Sequence, residues 1–125
     1  NNRLATISPT AGIGYATGAG GTVTQGAGSG KATGVTLDKV TGTITLNNAT
    51  LNAGTSVGFT LTNSAIAATD VVVVCIKSGA TAASYTVDVD AVAAGSCRIH
   101  LRNVSAGNLG EAVVLSFAVI KGVAS

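Results

Sequence analysis

A chain of 125 residues with a formal net charge of +2 and 10% charged side chains has the size of one domain and too little clustered charge for a nucleic-acid footprint. Apolar residues make up 46% but aromatics only 3%, with no Trp or Met, so any core must be built from small, branched side chains. No apolar run approaches the roughly 20 residues that cross a bilayer as a helix. The opening Asn1-Asn2-Arg3-Leu4 lacks the apolar stretch of a signal peptide, so nothing here directs the chain to a membrane or to secretion.

The first 32 residues are rich in Gly, Ala and Thr, including Gly18-Ala19-Gly20-Gly21 and Gly26-Ala27-Gly28-Ser29-Gly30. Glycine at that density costs backbone entropy, so residues 1–32 are expected to form an extended arm and a loop, and 33–125 a single folding unit. Runs of Val, Ile and Thr bounded by Gly, Asn, Asp and Ser then recur about every ten residues. Strands are expected at 21–25, 33–37, 42–46, 56–62, 70–77, 84–92, 96–104 and 112–121. About eight short strands with turns between them describe an all-β domain, an antiparallel β-sandwich or a jelly-roll-like fold.

Val35 and Leu37 alternate with Thr36, and Ile44 and Leu46 with Thr43 and Thr45, as in strands with one wet face. Val71 to Ile76 and Ala112 to Ile120 are instead apolar on both faces. Such strands need a layer on each side or a neighbouring subunit, which marks Val72, Val74, Ile76, Phe117 and Val119 as candidate oligomer contacts. Between them, Tyr85, Val87 and Val89 alternate with Thr86, Asp88 and Asp90. The pattern resumes after Ala93-Ala94-Gly95 as Cys97, Ile99 and Leu101 against Arg98, His100 and Arg102. Keeping apolar opposite apolar requires an odd loop, satisfied by three residues with Gly95 left-handed. That register sets Asp90 opposite Arg98 and Asp88 opposite His100, as cross-strand pairs of opposite charge.

No catalytic, cofactor or metal site is expected. Gly28-Ser29-Gly30-Lys31-Ala32-Thr33 lacks the upstream Gly of a phosphate loop and runs into a strand. His100 is the only histidine, and no nucleophile pairs with it. Asp38, Asp70, Asp88, Asp90 and Glu111 do not follow a calcium-loop spacing. Cys75 and Cys97 are expected to be buried free thiols, too few for a disulfide scaffold. Arg98, His100 and Arg102 form a small basic stripe suited to a partner surface. Asn48-Ala49-Thr50 and Asn103-Val104-Ser105 match the glycosylation pattern and are assigned no function.

From Gly14-Tyr15-Ala16-Thr17-Gly18-Ala19-Gly20-Gly21-Thr22-Val23-Thr24-Gln25 onward the chain resembles a family of tailed-bacteriophage virion surface domains. The resemblance runs through Thr33-Gly34-Val35-Thr36-Leu37, Gly42-Thr43-Ile44-Thr45-Leu46, Phe59-Thr60-Leu61-Thr62-Asn63-Ser64 and Ala68-Thr69-Asp70-Val71-Val72-Val73-Val74 to Phe117-Ala118-Val119-Ile120-Lys121, covering residues 14 to 122. Domains of this kind occur as free-standing head proteins and at the ends of tail fibres. The resemblance implies a β-rich, trimeric protein on the outside of the phage particle, assembled in the host cytoplasm, and brings no catalytic residues with it.

Two functions fit. One is a capsid decoration or cement protein that binds the major capsid protein through the arm, with Arg3, Leu4, Ile7 and Tyr15 as contacts. The other is the receptor-binding tip of a tail fibre or spike, touching a host surface receptor through loops 47–54, 78–84 and 104–110. The shortness of the leader, residues 1–13, favours the first. The shortage of Trp and Tyr, which form sugar platforms and binding hot spots, weighs against the second.

Overall fold

Alternation of small branched residues with Thr or charged residues gives most strands one inward and one outward face, and two sheets bury the inward faces against each other. The computed structural model describes residues 5–8, 10 and 12–124. Its strands are β1 (Ala5–Ser8), β2 (Gly12–Tyr15), β3 (Gly20–Thr24), β4 (Val35–Thr36), β5 (Thr41–Thr45), β6 (Ser56–Thr62), β7 (Val71–Ser78), β8 (Tyr85–Ala93), β9 (Ser96–Asn103) and β10 (Val114–Ile120). A single 3-10 turn spans Gly30–Ala32. Sheet I has the order β3-β5-β10-β7 and sheet II the order β4-β6-β9-β8, while among the described residues β1 and β2 pair only with each other.

The all-β sandwich expected from the sequence is what forms, with three differences. Both sheets are mixed, because β3 runs parallel to β5 and β4 parallel to β6, where antiparallel pairing was expected. From β3 to β6 the chain steps between the sheets at each strand, so a strand that returns to its sheet after two reversals points the same way as before. Second, the expected arm holds structure: β3 is an edge strand of sheet I, so the sandwich begins at Gly20 and not at residue 33. Third, β1 and β2 form a hairpin, Ala5 opposite Tyr15 and Ser8 opposite Gly12, at a place expected to be extended. Its signal, two short runs around Pro9-Thr10, was masked by the surrounding glycine.

The core is carried by Ile44, Leu46, Phe59, Leu61, Ile99, Leu101, Val113, Leu115, Phe117 and Val119, each at most 3% exposed. Phe59, Phe117 and Tyr85 are the buried rings among the described residues, and aliphatic side chains fill most of the rest. On the inward face of sheet I, Gly21 lies beside Gly42 in the parallel pair, and the space both leave is filled by Leu37.

The β8–β9 hairpin keeps the expected register, with Asp90 opposite Arg98, Asp88 opposite His100 and Tyr85 opposite Asn103. It reaches that register by a different route. Ala93 pairs with Ser96, so the turn is the two residues Ala94-Gly95, and Ala91 and Val92 together oppose Cys97 as a bulge. Gly95 (φ 85°) is left-handed as expected, and so is Ala91 (φ 52°) at the bulge. One bulge residue in an even turn preserves the same parity as an odd loop.

A Cβ on Gly42 would lie 2.5 Å from the Gly21 carbonyl oxygen and 2.9 Å from Leu37 Cδ2. Gly42→Ala is therefore expected to lower stability by about 1–3 kcal/mol through strand displacement. Gly107→Ala, which meets nothing within 4 Å, should change it by less than about 0.5 kcal/mol. Urea unfolding midpoints of the two variants check the difference.

Candidate functional site

The two outward faces of the sandwich differ in chemistry. On sheet I the register aligns Thr24, Thr45 and Val114 in one row and Thr22, Thr43, Ser116 and Cys75 in the next. Gly20, Thr41, Ala118 and Val73 follow, then Ile120 and Val71. None of these side chains is charged, and the one charge on these four strands is Lys77, exposed near the end of β7. Val71, Val73 and Ile120 are 54%, 48% and 52% exposed. The β1–β2 hairpin lies beside them, tied down where the Tyr15 hydroxyl donates to the Val119 carbonyl. Between hairpin and sheet runs a mostly apolar groove of about 630 Å³, lined by Ile13, Tyr15, Thr41, Ala118 and Ile120.

Sheet II presents the opposite character. Thr86, Arg102 and Ser56 form one outward row, Asp88, His100 and Gly58 the next, and Asp90, Arg98 and Thr60 the third. The structure thus brings the expected basic stripe of Arg98, His100 and Arg102 onto one face, beside an acidic stripe on β8. The bonding is diagonal and not directly across: His100 Nε2 lies 2.8 Å from Asp90 Oδ1, and Arg98 Nη1 donates to Thr60 Oγ1 at 3.3 Å. Diagonal neighbours on paired strands are within reach of long side chains. Arg98 and His100 lie over Gly58, where a Cβ would come within 2.6 Å and 2.7 Å of them. Beside them is an open depression of about 370 Å³, lined by Ser56, Thr86, Val87, Asp88, Asp90, His100 and Arg102. The imidazole is thus committed to Asp90 on a solvated sheet face and not to Asp88, the residue directly across from it.

Buried polar groups fasten the ends of the sandwich. Lys31 is 3% exposed, and its ammonium donates to the Asn47 carbonyl and, at 2.7 Å, to that of Glu111. Burial holds its pKa down against the opposing pull of Glu111. The Glu111 carboxylate accepts from the Thr81 N–H and hydroxyl and from the Tyr85 hydroxyl at 2.9 Å. These bonds depress its own pKa, while burial and Glu111 push the Tyr85 phenol up to about 12. Fully buried Asn103 donates to the carbonyls of Leu51 and Gly107, so its carboxamide is spent inside the fold. Loops 47–54 and 104–110 join through the Leu51–Leu109 bridge, and Val104 bonds Ser84 of loop 78–84. The three loops expected to form a receptor surface therefore share one end of the sandwich.

Several sequence-derived assignments change. Val72, Val74, Ile76, Phe117 and Val119 face inward against the other sheet, so the surface on which they were expected to meet a second subunit is covered by the chain's own sheet II. Period-two alternation hands the exposed role to the other parity. Cys75 is an exposed free thiol, while Cys97 is buried as expected, its pKa pushed up to about 11 by burial and by Asp90. Tyr15, expected as a free arm contact, is half-buried and bonded to sheet I. Arg3 and Leu4 lie outside the described residues, and Ile7 sits in β1 with its side chain undescribed. Among the described residues no three His, Cys, Asp or Glu side chains are grouped to hold a metal ion. No family model matches this chain, and neither a curated protein nor a solved structure matches it.

One ion pair fixes the exit of β10. The Asp70 side chain is 1% exposed, and Lys121 Nζ reaches its Oδ2 at 2.5 Å, with the Ala67 N–H at 2.8 Å. The Lys121 hydrogen bond, followed by that from Ala67, holds the Asp70 pKa below its ordinary value. A carboxyl with a depressed folded pKa adds stability that is fully present above the unfolded aspartate range, near about 3.9, and is lost as pH falls through the folded value. Asp70→Asn should therefore melt below the parent protein at pH 7, and the gap between the two melting temperatures should narrow as pH falls through the folded value of Asp70.

Proposed function

We propose that this protein is a non-enzymatic structural component of a tailed-phage virion, a trimeric decoration protein seated on the outside of the head. The observation that carries the reading is the segregation of its two outward faces, one of hydroxyl and aliphatic side chains over β3, β5, β10 and β7 with Lys77 as its single charge, the other charged over β6, β9 and β8. A two-faced sandwich of this size suits a module that joins unlike surfaces, its own copies on one side and other components elsewhere. Low overall charge and an open aliphatic patch favour assembly over a free existence. The resemblance of residues 14 to 122 to virion surface domains supplies the setting. In this reading Arg3 and Leu4, ahead of the β1–β2 hairpin, contact the major capsid protein.

A tail-fibre tip that binds a host receptor is the second reading, favoured by the meeting of loops 47–54, 78–84 and 104–110 at one end. Mixing the purified protein with undecorated heads and sedimenting them separates the two. The decoration reading predicts saturable co-sedimentation at a fixed, symmetric stoichiometry, and an at least tenfold weaker binding after deletion of residues 1–4. Saturable binding to host cells with none to heads would select the fibre tip.

A further inference from the structure

We infer that the aliphatic and threonine-rich outer face of sheet I, together with the β1–β2 hairpin, is covered by a second copy of this chain. The inference deepens the decoration reading and rests on it for the assembled state. Ile13, Val71, Val73 and Ile120 are 82%, 54%, 48% and 52% exposed. Ile120 pairs with Val71 and lines one groove with Ile13, so they form one patch. Together they leave on the order of 400 Å² of apolar side chain open, the size at which a patch on a soluble chain marks an interaction site. That is roughly half of the about 800 Å² each partner gives to a standard stable interface. The threonine rows of β3 and β5, with Ser116 and Ala118, supply the rest without adding a charge.

The chemistry of the face selects its occupant. Charged groups of a partner would be desolvated against its aliphatic part, where Lys77 at the end of β7 is the only charge, whereas the β1–β2 hairpin of a copy, a different patch as a closed trimer requires, brings aliphatic, hydroxyl and backbone groups. The hairpin points the same way. Its two strands pair only with each other, and a lone two-stranded hairpin is marginal in water. Ile13 on β2 therefore gains cover from a neighbour that its own sandwich does not give. β7 adds an eight-residue edge strand bearing Val71 and Val73, an element that stable proteins keep covered.

Cys75 reports on this face directly, because it lies in the same outward row as Thr22, Thr43 and Ser116 while the other thiol, Cys97, is buried. The full chain is treated with a maleimide alone and on heads, beside Val73→Glu and Ile13→Asp variants. Both substitutions are at exposed positions, so one remains informative if the other misfolds. Cys75 of the parent protein alone should label at least tenfold more slowly than in either variant. Equal labelling of parent and variants overturns the inference. So does protection that appears only on heads, which would make the capsid the occupant. If Cys75 labels freely while the protein still co-sediments with heads, the face is wrongly assigned and the decoration reading stands; loss of both removes both.

Discussion

A strand can give only one of its two faces to a sandwich core, and that constraint decides what this protein shows to its surroundings. In β7 and β10 both faces are aliphatic. Packing of the two sheets claims Val72, Val74, Ile76, Leu115, Phe117 and Val119, and the register then leaves Val71, Val73, Ala118 and Ile120 on the far side. The β1–β2 hairpin lies along one margin of that side and leaves Val71, Val73 and Ile120 about half exposed. The open aliphatic face is thus a direct consequence of how the core is built.

The core itself is modest. Three buried rings, Phe59, Phe117 and Tyr85, stand among mostly aliphatic side chains, and the Gly21–Gly42 pair admits Leu37. Ends left ragged by short strands are held by buried polar ties: Lys31 on two carbonyls, Asn63 on Lys39, Asn103 on Leu51 and Gly107, and Asp70 on Lys121. Every buried side-chain nitrogen or oxygen among the described residues has a partner. This satisfaction gives a small aliphatic core a single arrangement.

The strands from Ser56 onward were legible because their alternation is strong and their boundaries carry turn residues, and Ser56–Thr62 agrees with its expected span. The β8–β9 register was legible for the same reason, since pairing apolar with apolar leaves one solution. The bulge at Ala91 was not, because turn and bulge lengths trade against each other without changing parity. Parallel pairing of β3 with β5 was hidden because it depends on crossing between sheets, a long-range property. Which parity of β7 and β10 stays exposed was hidden for a related reason: a strand apolar on both sides gives no local sign of which side meets the chain's own second sheet. Lys31 gave no signal at all, since its role depends on the carbonyls of Asn47 and Glu111 converging from distant segments.

Copies of the chain are proposed to cover one another's aliphatic face over Val71, Val73 and Ile120. Light scattering of the purified protein, followed down a dilution series, tests this most directly. A mass three times the 12.0 kDa of one chain, held through dilution, is the predicted result. A mass of one chain at all concentrations would contradict the account, because Val71, Val73, Ile120 and Ile13 would then remain in water in the native protein.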